Sequence, residues 1–285
     1  MRISKTQLDN IEADLAVGIQ VFMNINRFTR IHLGLSGGID SALVAYLAVC
    51  AAGAENVSCY SMPSRFSSQG SKDDAREQAA LLGCSYQTLP IEAPFTALLS
   101  TLQPIFKDTP FGLAEENLQA RIRGTLMMAV SNKFGSMLLT TGNKSEISMG
   151  YCTLYGDTAG ALAPLGSLFK TEVFALCNRI NERSLESGGK KVIVQAIIDK
   201  PPSAELRPNQ KDEDSLPPYE ALDQVLELHL CNKLPKDEII KRGWDSELVD
   251  RILATVKGSS FKRRQMPPII ELFDTERENP GKPYP

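Results

Sequence analysis

The chain has 285 residues, 42% hydrophobic and 23% charged, with a formal net charge of −3, which suits one large α/β domain or two small ones around a buried core. A slight negative charge argues against a general polyanion-binding surface, so no nucleic-acid partner is expected, although a local basic patch stays compatible with it. No stretch reaches the roughly 18 uncharged apolar residues that span a bilayer, and "MRISKTQLDNIEADLAVGIQ" mixes acids with its apolar residues, unlike a secretory signal.

Leu8, Ile11, Leu15, Ile19 and Phe22 recur at helical spacing and predict an amphipathic helix that covers a sheet. An alternation follows. Strand-like runs at 31–35, 56–62, 85–91 and 136–141 are separated by helix-like runs at 40–52, 71–83, 94–106 and 114–135. That order predicts an α/β fold, a Rossmann-like, doubly wound and mostly parallel sheet with helices on both faces. After Gly142, "GNKSEISMGYCTLYGDTAGALAPLG" reads as loops with a short helix, and "LFKTEVFALCNRINERS" returns to helix. The segment 200–220, "KPPSAELRPNQKDEDSLPPYE", has five prolines and dense charge, so a long exposed loop is expected. Two helices and a Pro-rich tail close the chain.

The six cysteines, Cys50, Cys59, Cys84, Cys152, Cys177 and Cys231, include no C-x-x-C pair. In a chain of this size that predicts reduced, mostly buried thiols and a cytoplasmic protein. His32 and His229 are too few and too separated for a His-based metal site and are read as structural.

The first helix after a strand opens in "LGLSGGIDSALV". A sharp turn at the carboxyl end of a parallel strand exposes backbone N–H groups, and the next helix points its positive end at the same place. Glycine permits positive φ and close approach of a phosphate. Ser36 and Ser41 can donate hydroxyl hydrogen bonds to the same phosphate. The loop lacks the lysine of G-x-x-x-x-G-K-[ST] and the spacing of G-x-G-x-x-G. Asp40 beside phosphates would repel them unless a divalent cation intervened, so Mg²⁺ is implied.

S-G-G-x-D-S after a strand resembles the loop of the ATP pyrophosphatases, which cleave ATP between its α and β phosphates and share an adenine nucleotide alpha-hydrolase-like fold. Four further blocks, "EENLQARIRG" (115–124), "LLTTGNKSEISMGYCTLYGD" (138–157), the 200–220 segment and "FKRRQMPP" (261–268), follow in order. Together the five resemble NAD synthetase, in the version that forms the synthetase domain of glutamine-dependent enzymes, and the resemblance covers nearly the whole chain. It implies an acid–ammonia ligase that adenylates deamido-NAD with ATP, expels pyrophosphate, and lets ammonia displace AMP to form NAD.

The resemblance places ATP on Gly34, Leu35, Ser36, Gly37, Gly38, Ile39, Asp40, Ser41, Thr141, Lys170 and Ser203. It gives Mg²⁺ to Asp40 and Glu146, and the chemistry to Asp40, Glu146 and Lys170. Deamido-NAD falls to Asn117, Arg121, Glu146, Tyr151, Cys152, Thr153, Leu154 and Lys262. Asn117 and Arg121 sit four apart and share a helix face, while Glu116 and Arg123 form the alternative intrahelical pair. Ammonia-only enzymes of the family carry a lysine where this chain has Leu154 and an aspartate near Ala161, which sets the sequence with the glutamine-type branch.

The domain expected is a single synthetase unit over 1–285, with a core at about 25–200, a mobile loop at about 200–220 that closes over the acyl-adenylate, and a helical part at 220–285. A glutaminase domain of the nitrilase type is not expected, since the phosphate loop begins about 35 residues after Met1. Free ammonia is therefore the expected donor; a separate glutaminase, or a cut-out domain of a longer enzyme, is the alternative. A homodimer is expected from the family. A GMP-synthetase-type or tRNA-modifying pyrophosphatase is the enzyme rival, and a nucleotide sensor that has lost turnover is the other.

Overall fold

A computed structural model describes residues 3–272; the Pro-rich tail expected from the sequence lies outside them. Helix α1 (Lys5–Asn26) begins at a capping box in which Ser4 accepts from the Gln7 amide, and ends at Arg27 in the left-handed conformation. Its inner face is Leu8, Leu15, Ile19 and Met23. Glu12 lies buried on the same face and accepts from the Tyr46 hydroxyl (2.7 Å) and Arg183 (2.5 Å).

Strand β1 (Ile31–Gly34) leads into α2 (Ile39–Ala52), followed by β2 (Val57–Ser61), α3 (Gln69–Leu82), β3 (Ser85–Thr88), α4 (Glu92–Phe106), α5 (Leu113–Phe134) and β4 (Met137–Leu139). All pairings are parallel and the strand order is β3-β2-β1-β4. Ile31 of the central strand pairs with Val57 on one side and Met137 on the other. Helices α1, α2 and α3 share one core with the strands. On the other face α5 packs Met127 against Tyr60 and Leu138, and Ile122 against Phe95 of α4. This is the doubly wound α/β architecture expected from the alternation.

His32 ties the second face to the sheet from inside β1. Its Nε2 donates to the Met127 carbonyl (3.0 Å), which leaves Nδ1 to accept from Ser136 Oγ (2.8 Å). Burial lowers its pKa, keeping the ring neutral. His229 bonds the Leu234 carbonyl. Both histidines are thus used structurally. All six cysteines are free thiols; Cys59 and Cys177 are buried and Cys50 is exposed.

Beyond β4 come α6 (Lys144–Met149), α7 (Lys170–Glu186), which joins the first core, and α8 (Gln195–Asp199). The segment 200–218 then leads to α9 (Tyr219–Leu226), a π-helical turn (Glu227–Cys231), α10 (Lys236–Lys241), α11 (Ser246–Gly258) and α12 (Ser260–Arg263). The closing region is therefore broken into more helices than the two expected, because Pro235 and Gly243 interrupt the pattern. Leu222, Val225, Ile239, Val249 and Ile252 build a second core that reaches Met149 of α6 and Phe169 before α7. The 200–218 segment is also less exposed than its composition suggests. Leu216 enters the second core, and Gln210 and Asp212 are buried.

One close contact fixes how α5 packs on the chain after α6. Helix α5 lies so near the 153–157 turn that a Cβ on Gly124 would stand 2.7 Å from the Tyr155 carbonyl oxygen and 2.8 Å from that of Gly156. Alanine normally gains about 1 kcal/mol over glycine inside a helix. Here Gly124→Ala is expected to lower stability by about 1–3 kcal/mol through overpacking, read as a drop of several degrees in Tm. A raised Tm would mean that α5 and the turn do not touch.

Candidate active site

In open α/β sheets the ligand crevice lies at the carboxyl ends of strands where the connections diverge. Here β1 is flanked by β2 and β4, and the chain leaves β1 into residues 35–38 and β4 into residues 140–143. A cavity of about 330 Å³ opens there. Gly34 to Ser41 line it, at the N-terminus of the 14-residue helix α2.

Gly37 has φ +83°, and a Cβ on it would stand 2.2 Å from the Ser71 carbonyl oxygen, so both conformation and space require glycine. Ser41 Oγ donates to the Gly38 carbonyl (2.9 Å) and accepts from the Ser36 amide (3.2 Å). Its hydroxyl thus closes the turn. Ser36 Oγ accepts from the Gly38 amide (3.2 Å) and contacts Ser41 Oγ (3.1 Å).

The chemistry-bearing groups meet at one ammonium. Lys170, the first residue of α7, is 3% exposed, and its Nζ lies 2.5 Å from Asp40 Oδ2 and 3.2 Å from Glu146 Oε1. Asp40 comes from the first turn of α2 and Glu146 from the first turn of α6. Asn143 links the acids: its Nδ2 donates to Asp40 Oδ1 (2.8 Å) and its Oδ1 accepts from the Glu146 amide (3.0 Å). The Lys170 amide donates to Ser145 Oγ (2.9 Å), which donates to Asp223 Oδ1 (2.5 Å), and Asp223 Oδ2 accepts from the Thr171 amide (2.9 Å). The starts of α6 and α7 are pinned by one carboxylate from α9.

Burial works against the Lys170 charge, but the Asp40 and Glu146 carboxylates outweigh it and hold its pKa above the ordinary lysine value. Burial pushes Glu146 up to about 8, against the pull of Lys170 and with a further push from Asp40 and Asp212. Asp212 is raised as well, chiefly by burial, and accepts from Tyr219 (2.9 Å) and Tyr151 (3.3 Å). Three acids share a single lysine here, so their full ionisation needs a further cation, and without one Glu146 keeps its proton. Two hard carboxylate donors converging on one cation position fit Mg²⁺, which takes one or two carboxylates and completes its shell with phosphate oxygens and water. Among the described residues no set of three or more His, Cys, Asp or Glu side chains could hold a metal alone.

Of the residues singled out in the sequence, Thr141, Glu146, Tyr151, Lys170 and Ser203 line the same cavity as the glycine loop. Six others do not: Asn117, Arg121, Cys152, Thr153, Leu154 and Lys262 surround the 150–157 turn instead. Thr153 Oγ1 donates to Asn117 Oδ1 (2.7 Å), Arg121 Nε to the Leu154 carbonyl (3.2 Å), and Lys262 Nζ to the Gly150 and Cys152 carbonyls (2.7 Å each). Burial raises the Cys152 thiol to about 12.

Charged groups of the cavity wall that the sequence reading missed include Arg123, Asp157, Lys200, Lys72 and Glu205. Arg123 lies two residues from Arg121 and so on another face of α5; it lines the cavity and donates to the Met62 carbonyl (3.0 Å). Glu116, its partner in the alternative intrahelical pair, faces Arg207 instead at 3.7 Å. Burial lowers Arg123 to about 10. Asp157, raised to about 6 by burial, accepts from the Thr153 amide (2.6 Å). Lys200 pairs with Asp74 at 2.5 Å. Arg123, Asp157 and Lys200 all lie inside the motif segments 115–124, 138–157 and 200–220, but only their contacts distinguish them from neighbouring charges.

A family model for NAD synthase matches residues 12–267. The glutamine-dependent NAD(+) synthetase of Rhodobacter capsulatus is 48% identical over 265 residues, which are 91% of this chain and 48% of that protein. Among solved structures, the glutamine-dependent NAD+ synthetase of Acinetobacter baumannii, in complex with ADP, is 40% identical with a TM-score of 0.66, over 91% of this chain and 46% of that one. The NH3-dependent NAD synthetase of Campylobacter jejuni, in complex with nitrate, is 28% identical with a TM-score of 0.71, over 94% and 99% of the two chains. The chain thus spans about half the length of the curated relatives it matches.

A carboxyl raised from 4.5 to about 8 keeps its proton in the folded chain over a range in which the unfolded chain has lost it. Its stabilising contribution is present at low pH and is lost as pH rises through that window. Tm measured with chelator present should therefore fall between pH 5 and 8, with Asp157 contributing to the lower part. Glu146→Gln should flatten the upper part. A slope that persists unchanged in that variant would place the titration elsewhere.

Proposed function

Because the chain belongs to the NAD synthase family, we propose that it amidates deamido-NAD to NAD at the expense of ATP, with free ammonia as the nitrogen donor. The nicotinate carboxylate attacks the α-phosphorus of ATP and pyrophosphate departs. Ammonia then attacks the acyl carbon of the adenylate and AMP departs. Hydroxide is too poor a leaving group for direct amide formation, so activation is required. The observation that carries the reading is Lys170 held between Asp40 and Glu146 at the mouth of the glycine loop.

The residues divide the work by position. The amides at the start of α2 face the departing diphosphate, where the helix end favours negative charge. Lys170 offers a fixed ammonium to phosphate oxygens, which needs no solvent reorganisation as charge shifts. Mg²⁺ held by Asp40 and Glu146 would supply charge neutralisation on the phosphates. Thr141 and Ser203 border the nucleotide, and Tyr151 borders the nicotinate side. Arg121, Asn117 and Lys262 act on deamido-NAD through the turn they hold beside the cavity.

The chain acts as one synthetase unit with its core at about 25–200, and the 200–220 segment closes over the adenylate to exclude water. It works as a cytoplasmic homodimer; Leu98, Ile105, Phe111 and Leu113, exposed on α4 and at the start of α5, support a covered face there. Among the described residues no helix is long and apolar enough to cross a membrane. The C. jejuni protein, NH3-dependent and matched over 94% of this chain, supports free ammonia as the donor. The second reading, a separate glutaminase that delivers the ammonia or a synthetase domain cut from a longer glutamine-dependent enzyme, draws on the 48% identity to a glutamine-dependent relative about half of which the chain spans.

With ATP, Mg²⁺, deamido-NAD and ammonium, the purified protein should release AMP, pyrophosphate and NAD, and oxygen-18 in the nicotinate carboxylate should be recovered in AMP. Lys170→Met should lower kcat/KM by at least about 100-fold, as loss of a fixed transition-state charge does. With a glutaminase and glutamine added, nitrogen that reaches NAD undiluted by isotopically labelled ammonium in the medium would move the assignment to the second reading. Pyrophosphate release that requires xanthosine monophosphate would overturn both.

A further inference from the structure

Lys200 follows α8 and opens the 200–218 segment, yet its ammonium is engaged with two other parts of the chain. Nζ donates to the Gly37 carbonyl (3.0 Å) and to Ser71 Oγ (3.1 Å), and pairs with Asp74 Oδ2 (2.5 Å). Ser71 Oγ donates in turn to Glu205 Oε1 (2.7 Å), and Glu205 Oε2 accepts from the Ser68 amide (3.3 Å). Ser68 is the N-cap of α3. The first turn of α3 is thus a common bearing: the glycine loop presses on it at Ser71, and the 200–218 segment is bonded to it at both Lys200 and Glu205.

The Gly37 carbonyl and the Gly38 N–H belong to one peptide plane, and that N–H donates to Ser36 Oγ. A glycine at φ +83° offers little resistance to rotation of this plane by itself. Lys200 supplies a charge-assisted bond at the other end of the same plane, and Asp74 keeps the ammonium aimed there. Gly37, Ser71, Lys200 and Glu205 all border the nucleotide cavity.

We propose that Lys200 is a positioning residue for ATP: braced by Asp74, it fixes the Gly37 peptide of the phosphate seat and fastens the 200–218 segment to it. The kinetic part of this inference rests on the synthetase reading; the structural part does not.

The test uses the full chain with Lys200→Met, Lys200→Arg and Asp74→Asn. Losing bonds from a charged donor should raise KM for ATP about tenfold in Lys200→Met, with KM for deamido-NAD within about twofold of the parent, and arginine should restore most of the loss. A Glu-specific protease reads the fastening directly through cleavage at Glu205 and Glu213. An ATP analogue with a methylene between its α and β phosphates should protect these sites in the parent, and Lys200→Met and Asp74→Asn should cleave faster and lose that protection. Unchanged KM and cleavage in Lys200→Met would overturn the proposal. So would a lower KM in Asp74→Asn, since an ammonium released to bind phosphate directly would strengthen ATP binding. If the parent forms no NAD, the synthetase reading fails, and the protease experiment still decides the role of Lys200.

Discussion

A lysine withdrawn from water and placed at the start of a helix is doubly unfavourable, because it loses solvation and faces the positive end of the backbone dipole. Lys170 is in that position, and the Asp40 and Glu146 carboxylates are what make it tolerable. The constraint runs in both directions. Without the ammonium, two acids would lie close together in a poorly solvated pocket, and Glu146 already retains its proton to about 8. The cluster holds its geometry because each member is costly to bury alone. Its acids outnumber its one ammonium, so a further cation would let Glu146 give up its proton.

Much of the surrounding structure serves to keep these three groups together. They arrive on three helices: Asp40 follows β1, Glu146 follows β4, and Lys170 begins α7. The parallel pairing of β1 with β4 brings the first two to one crevice. Asp223 then fixes the third, by holding Ser145 and the Thr171 amide from α9. The second core is therefore more than a C-terminal addition. Leu222, Val225 and Leu226 seat α9 against α6 and α7, and this packing places the Asp223 carboxylate. Tyr219 reaches from the same helix to Asp212 and lies 5.4 Å from the Lys170 ammonium across its ring.

Legibility in the sequence followed the range of the interactions involved. The glycine loop and the apolar face of α1 are local, and each could be read from a short stretch of residues. The wall formed by Arg123, Asp157 and Lys200 could not. Arg121 and Arg123 have the same chemistry two residues apart, and only the packing of α5 decides which one turns inward. Asp157 is brought in by the close approach of Gly124 and Gly156 to their neighbours. The 200–218 segment misled for a related reason. Its prolines and charges describe its average surface, whereas Asp212 and Leu216 are single residues anchored by distant partners.

By itself the sequence determined the alternation of strands and helices, the phosphate-type turn at Ser36–Ser41, and the family to which the chain belongs. These depend on periodicity, glycine geometry and motifs contained in short stretches of chain. Only the tertiary structure decided that Lys170 stands between Asp40 and Glu146, 130 and 24 positions away along the chain. It also decided which arginine faces the cavity and how the 200–218 segment meets α3. Contacts between residues so far apart are set by the packing of whole elements against one another, and no local pattern records that packing.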